Sequence, residues 1–139
     1  MEIDVAALAP GQSLPEWIRD GSLQHWNRFA AVDGIFSDHH MDDESGRHEG
    51  FEGAFISAPF LHAYLHAMLR DWMGEQGRIV DVDMRLKHPL IRGRVLTQGA
   101  EVTAVGAEGD ETVVELRVWQ VDDLEHQVGV GTATVALRR

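Results

Sequence analysis

One stretch decides how this chain folds, and it reads Ser57-Ala-Pro-Phe-Leu-His-Ala-Tyr-Leu-His-Ala-Met-Leu-Arg-Asp-Trp-Met-Gly74. Pro59 stands where proline is tolerated, at the start of a helix, and Gly74 is a typical stop. The residues from 60 to 73 are apolar around most of the helix circumference, which is typical of a helix buried inside a domain. We therefore predict a buried helix that begins near Pro59 and ends before Gly74.

After Gly77 the apolar period changes from that of a helix to two, which indicates strands. The alternation is clearest where Val80, Val82, Met84 and Leu86 are separated by the charged residues Asp81, Asp83 and Arg85. Further strands are predicted at 94–105, 112–121 and 127–137, with turn-forming segments at 106–110 and 122–125. Long strands joined by short connections indicate an antiparallel sheet.

The first half of the chain is helical or irregular. Residues up to Pro15 are interpreted as a lead-in, and a short amphipathic helix is predicted from its N-cap Ser22 to Gly34. Residues 35–49 are polar and predict a loop with at most one helical turn. Helices followed by consecutive strands indicate an α+β domain, with the buried helix packed on the inner face of the sheet.

The composition limits the classes of function. The 139 residues, 44% of them hydrophobic, fit a single domain over 1–139. The absence of cysteine excludes disulfides, thiolate metal sites and a thiol nucleophile. A net charge of -11 argues against a nucleic-acid partner, because phosphate binding needs Lys and Arg. With no signal-like start and no apolar run of membrane length, we expect a soluble cytoplasmic protein without a membrane partner.

Several short motifs share one spacing. They are Phe29-Ala30, Gly34, His40-Met-Asp42, Gly50-Phe-Glu-Gly53, Asp71-Trp-Met-Gly74 and Pro89-Leu-Ile-Arg-Gly93. In this register the chain resembles the MaoC-like hydratase/dehydratase family over nearly its whole length, and the adjacent His39-His40 is also similar to small subunits of actinobacterial steroid side-chain hydratases. The resemblance implies the hot-dog fold, a curved antiparallel β-sheet wrapped around a central α-helix. It further implies that water is added or removed across the α–β bond of an acyl thioester.

The resemblance also implies a catalytic acid/base, which is His40 in this register. The aspartate expected in the same loop is replaced by Ile35. Asp38 and Asp33 flank that position, and we predict that one of them replaces the lost carboxylate, with Asp38 slightly favoured. Asp42 is predicted to brace the loop through backbone hydrogen bonds.

The entrance of the buried helix supplies the next predicted contacts. The N–H of Ala58 is available to hold a developing oxyanion, whereas Pro59 has no N–H. Ser57 adds a hydroxyl to the site or caps the helix, and capping is favoured. The resemblance implies that the thioester carrier is coenzyme A or an acyl-carrier group, which belongs to the substrate, and no separate cofactor is expected.

The phosphates of coenzyme A need cationic partners. Lys87, Arg92 and Arg94, together with His88, cluster around residue 90, and we predict that they bind these phosphates.

Three alternatives remain open from the sequence. The carboxylates and imidazoles of residues 38–44 are suitable ligands for a divalent metal, but no remote ligand reinforces them, so no metal is predicted. The replacement at Ile35 also fits a non-catalytic subunit that binds an acyl group or completes a partner's active site. A thioesterase is the third reading, because fold does not determine function. The resemblance implies a homodimer or a hetero-oligomer with another hot-dog subunit, and the exposed edge of an antiparallel sheet gives a physical reason for such pairing.

Overall fold

The computed structural model describes residues 2–139, which form three α-helices and five β-strands. The helices are α1 (Leu23–Asp33), α2 (Asp43–His48) and α3 (Ala58–Met73), and the strands are β1 (Trp17–Asp20), β2 (Gly77–Leu86), β3 (Val95–Glu108), β4 (Glu111–Asp122) and β5 (Gln127–Arg138). Short 3₁₀ turns occupy Val5–Ala7, Asp38–His40 and Gly74–Gln76. In residues 2–139, no helix is long and apolar enough to cross a membrane.

All five strands belong to one antiparallel sheet in the order β1-β3-β4-β5-β2. The sheet curls around α3, whose side chains Leu65 and Leu69 are completely buried. They belong to the same core cluster as Val102, Leu116 and Val135 from three neighbouring strands. The predicted α+β class and the central buried helix are therefore confirmed.

Two buried glutamines fasten the first half of α3 to the sheet. The Gln98 amide donates to the carbonyl oxygen of Tyr64 at 2.7 Å, and the Gln120 amide donates to that of Leu61 at 3.0 Å. The Gln120 amide also donates to the Gln98 side-chain oxygen at 2.8 Å. Because buried polar groups are costly unless paired, these bonds fix the helix over the sheet near its N-terminal end.

Two features of the strands differ from the sequence prediction. Between the lead-in, which ends at Pro15, and α1 lies β1, a four-residue edge strand that the sequence did not predict and that pairs with β3. A β-bulge interrupts the register of β2 between Ile79 and Asp81. Because a bulge displaces the alternation by one residue, Ile79 is half-buried while Val80 is 50% exposed.

The predicted loop 35–49 is more ordered than expected, because it contains α2. The Asp42 carboxylate accepts the N–H of Ser45 at 2.9 Å and its hydroxyl at 2.7 Å, which is an N-cap. The next residue, Asp43, accepts the N–H of Ala54 at 3.0 Å. The prediction that Asp42 braces this segment is confirmed, and tertiary contacts rather than an apolar face hold the helix.

Candidate active site

A cavity of about 530 Å³ opens at the N-terminal end of α3. Its walls are mostly apolar, and its polar members are His40, Ser57, Lys87 and His88. The connection from α1 to α3 forms one wall, and the segment that follows β2 forms the other. A larger cavity of about 830 Å³ lies between residues 2–6, α3's end and the end of the chain, and no histidine lines it. The smaller cavity therefore carries the candidate chemistry.

His40 is held in one orientation within this wall. Its Nδ1 lies 2.8 Å from the carbonyl oxygen of Phe55, and because that oxygen can only accept, Nδ1 carries the proton. The ring also meets the ring of Phe55 edge-on, with the centroids 5.0 Å apart. Nε2 is then the unprotonated nitrogen of a neutral imidazole, as a general base requires.

Burial keeps His40 neutral. Desolvation of the imidazolium lowers the pKa of His40 below its ordinary value of 6.5; the hydrogen bond to Phe55 works in the opposite direction, and the neighbouring His39 adds to the lowering. A base with a lowered pKa is ready to accept a proton at neutral pH.

The first turn of α3 presents an unused backbone donor. The N–H groups of Phe60 and Leu61 both bond to the carbonyl oxygen of Ser57, and Pro59 has none. Within residues 2–139, no acceptor pairs with the Ala58 N–H, and Ala58 lines the cavity. Ser57 also lines the cavity and occupies the predicted N-cap position, but within residues 2–139 its hydroxyl makes no cap hydrogen bond.

The two aspartates predicted to replace the missing carboxylate lie elsewhere. Asp33 is the last residue of α1 and Asp38 begins the following 3₁₀ turn, and both are exposed. Neither lines the cavity, whereas Ile35 does. The helical ordering of residues 38–48 fixes the backbone, and the expected loop adjustment does not occur. The structure thus gives the cavity a histidine and an apolar side chain where the resemblance implies a histidine and a carboxylate.

Of the four residues predicted to bind phosphates, Lys87 and His88 line the cavity, and Arg92 and Arg94 do not. The Arg92 guanidinium is paired with the carboxylate of Asp43, to which its Nε donates at 3.1 Å. Arg94 lies 3.6 Å from Asp123. Arg92 and Arg94 are therefore already engaged by carboxylates, which corrects the prediction that they face a phosphate.

On the opposite wall, sequence reasoning named His88 only as a phosphate contact and missed its stacking on a second imidazole. The His88 ring stacks on that of His126, with centroids 4.1 Å apart and planes 13° apart. His126 Nδ1 lies 2.9 Å from Asp122 Oδ2, and the Asp122 side chain is only 1% exposed. The spacing of Asp122 and His126 across a predicted turn was the available signal, because residues that flank a hairpin turn lie close together.

Asp122 is ionised in this network. Burial opposes its ionisation, but the hydrogen bonds from the His126 ring and from the N–H groups of His126 and Leu124 outweigh burial and lower the pKa of Asp122. A metal site needs several ligand atoms close together. Among the His, Asp and Glu side chains of residues 2–139, one group of three brings its ligand atoms within 4.8 Å of one another, and it consists of His88, Asp122 and His126. The alternative cluster in residues 38–44 does not form such a group.

Comparison with known proteins identifies the fold. No protein-family model and no curated protein sequence matches this chain. Among solved structures, the ChsH1-ChsH2 complex from Mycobacterium tuberculosis contains a chain with a TM-score of 0.84 and 22% identity, covering 94% of this chain and 98% of that one. An (R)-hydratase from A. caviae involved in PHA biosynthesis has a TM-score of 0.84 and 21% identity, covering 94% of this chain and 98% of that one. R-hydratase PhaJ1 from Pseudomonas aeruginosa has a TM-score of 0.87 and 20% identity, covering 99% of this chain and 87% of that one. The chain thus has the hot-dog fold of (R)-hydratases and MaoC-like dehydratases, as the resemblance implied.

Proposed function

We propose that this protein adds water to 2-enoyl thioesters and removes it from 3-hydroxyacyl thioesters. One observation carries the proposal: the same mostly apolar cavity is lined by His40, whose Nδ1 bonds to Phe55 and leaves Nε2 as the basic nitrogen, and by Ala58, whose N–H has no acceptor within residues 2–139. The hot-dog fold shared with hydratases and dehydratases supports it.

The reaction needs the groups that this cavity offers. As the oxygen of water bonds to the β carbon, neutral His40 can take the proton from that water. Negative charge develops on the thioester oxygen, and the Ala58 N–H at the start of α3 can donate a hydrogen bond to it. The apolar walls suit an acyl chain and strengthen both interactions by excluding water.

The thioester carrier is coenzyme A or an acyl-carrier group, and no other cofactor is proposed. Lys87 stands at the cavity, exposed, on the segment that follows β2. Within residues 2–139 no carboxylate forms an ion pair with it, in contrast to Arg92 and Arg94. We assign to Lys87 the phosphate contact of the carrier.

A spectrophotometric assay of enoyl-CoA hydration tests the function. His40→Ala should lower kcat by about 10²–10⁴-fold, the usual contribution of a general acid or base. His48→Ala is the matched control, because His48 ends α2 in an exposed position and does not line the cavity. Equal rates for the two variants, or no hydration of any chain length by the wild type in any assembly state, would refute the proposal.

One observation favours a second candidate function, that of a subunit that completes a partner's active site. Ile35 occupies the cavity wall where a carboxylate is expected. Within the described part of the chain, the long edge strand β2 has one side unpaired, and Val80 and Leu86 on it are 50% and 42% exposed. We propose that a second copy or another hot-dog subunit pairs there, as ChsH1 and ChsH2 assemble with each other.

Size-exclusion chromatography and mixing experiments separate these two functions. An active homodimer supports the enzyme, and activity that appears only after a second hot-dog chain is added supports the subunit. The cytoplasmic location expected from the sequence stays a prediction.

A further inference from the structure

We propose that His88 is the second proton-transfer group of the cavity and takes over the role left without a carboxylate at Ile35. This inference rests on the proposed hydratase/dehydratase function. It assigns a catalytic role to the wall opposite His40, outside the motifs that carried the resemblance.

The backbone around His88 is fixed to the sheet. The N–H of Lys87 donates to the carbonyl oxygen of Val128 at 2.8 Å, and that of His88 donates to the same oxygen at 3.4 Å. Nδ1 of His88 lies 2.8 Å from the carbonyl oxygen of Pro89, which can only accept. Nδ1 therefore carries a proton, and Nε2 is left to face a substrate in the cavity that His88 lines.

The ring of His88 is also held from behind. It stacks on His126, which donates from Nδ1 to the buried carboxylate of Asp122. That carboxylate is itself fixed, because its other oxygen accepts the N–H groups of Leu124 and His126, each at 2.9 Å. A buried carboxylate thus orients one imidazole, and that imidazole sets the plane of the next. His126 and Asp122 are positioning residues, whereas His88 meets the substrate.

The proposed step balances. During hydration the oxygen of water bonds to the β carbon, one O–H bond of that water breaks, and His40 Nε2 takes the proton. The electron pair of the carbon–carbon double bond shifts toward the thioester carbonyl. Solvent carries the proton from His40 to Nε2 of the half-buried His88, and the α carbon then takes that proton from His88 Nε2. Dehydration is the reverse, and no oxidant, metal or further reactant is needed.

Hydrogen bonds already made favour this role over metal binding. Both ring Nδ1 atoms donate to oxygens, so a metal bound through either of them would have to break a part-buried hydrogen bond. The two Nε2 atoms alone would give a metal only two protein ligands, below the three that catalytic zinc sites supply.

The test is chemical rescue of the hydration rate. His88→Ala should lower kcat by about 10²–10⁴-fold with little change in KM. Added imidazole should restore part of that rate, because the half-exposed position can admit a small base. If His88→Ala folds poorly, His88→Gln replaces it in the test. His88→Gln keeps the size of the side chain and should be as slow as expected for His88→Ala. His126→Phe keeps the stacked ring but not the bond to Asp122, and should lose less activity than His88→Ala.

The outcomes separate the two proposals. If the wild type hydrates enoyl thioesters and both His88 variants keep the full rate, the role of His88 is overturned while the function stands. The role is overturned equally if the variants are slow and imidazole restores nothing, since a structural defect would give that result. A wild type without activity, alone and with a second hot-dog chain, overturns the proposed function and this inference with it. The control His48→Ala should match the wild type with and without imidazole.

Discussion

Gly46→Ala should weaken both the fold and the catalytic site, because α2 packs directly on the segment that anchors His40. A Cβ atom at Gly46 would lie 1.9 Å from the carbonyl oxygen of Gly53 and 2.3 Å from its carbonyl carbon. Real Cβ atoms essentially never approach closer than 3.0 Å, so the backbone of Gly53 must retreat by about 1 Å. Phe55, whose carbonyl oxygen holds the His40 ring, lies only two residues further along.

The magnitude follows from two opposing terms. Overpacking of a buried contact costs about 1–3 kcal/mol, and the better helix propensity of Ala returns about 0.5–1 kcal/mol. We expect a net destabilisation of about 1–2 kcal/mol, measured as a lower urea midpoint with an unchanged slope. A displacement of about 1 Å at a catalytic group costs on the order of 10²-fold in rate, so kcat for enoyl-thioester hydration should fall by about that factor.

Gly106→Ala is the matched control for Gly46→Ala. Gly106 is exposed on β3, and a Cβ atom there would meet nothing within 4 Å. Its effect on the free energy of unfolding should stay within about 0.5 kcal/mol. If Gly46→Ala unfolded at the wild-type midpoint and kept the wild-type kcat, the coupling between α2 and the His40 anchor would be refuted.

Three further predictions concern the charges of the cavity. Ile35→Asp should raise the pKa of His40, because a carboxylate on the same wall favours the imidazolium. NMR titration of the His40 ring measures this pKa, and an unchanged value would show that the two side chains are not neighbours. The free energy of unfolding should decrease as pH falls below about 6.5, because the pKa of His40 is lowered in the folded state and the unfolded chain therefore binds the proton first. Urea melts at pH 7.5 and 5.5 measure this decrease, which should be smaller in His40→Asn than in the wild type. Lys87→Ala should raise KM for a CoA thioester and leave KM for the pantetheine thioester unchanged, whereas Arg94→Ala, at a residue paired with Asp123, should change neither.

The predictable part of the fold came from periodicity. The apolar stretch that became α3 buries Leu61, Leu65 and Leu69, and each lies close to full burial. A helix of this composition has only the interior to occupy, so the sequence determines its place. The period-two alternation likewise predicted β3, β4 and β5 to within three residues at each end.

Elements without a repeating apolar pattern were missed. β1 has four residues, too few to establish a period, and Ile18 on it is 60% exposed. α2 is polar and contains Gly46, and it is stabilised by the Asp42 cap and by Asp43, which bonds to Ala54 eleven residues away. Contacts of that kind depend on the tertiary structure, and local patterns do not encode them.

The sequence predicted site residues correctly only in the part of the chain that the motifs of the resemblance align. His40, Ser57 and Ala58 all line one cavity, as the resemblance implied. The partner of Arg92 is Asp43, 49 residues away, and no local pattern in the sequence indicates that pair. The same holds for the stack of His88 on His126, since these residues meet only when β5 pairs with β2.

The position of this cavity links its chemistry to assembly. His88 is the second residue after β2, and Leu86 at the end of that strand both lines the cavity and remains 42% exposed. A second subunit that pairs with the free edge of β2 would therefore restrain the strand that carries His88, on the side opposite the His126 stack. Charged substitution of the exposed Val80 should disrupt that pairing without touching the cavity, because Val80 does not line it. We expect Val80→Asp to give a monomer with a reduced kcat by size-exclusion chromatography and kinetics. A monomer with the full wild-type rate would show that one chain completes the site alone.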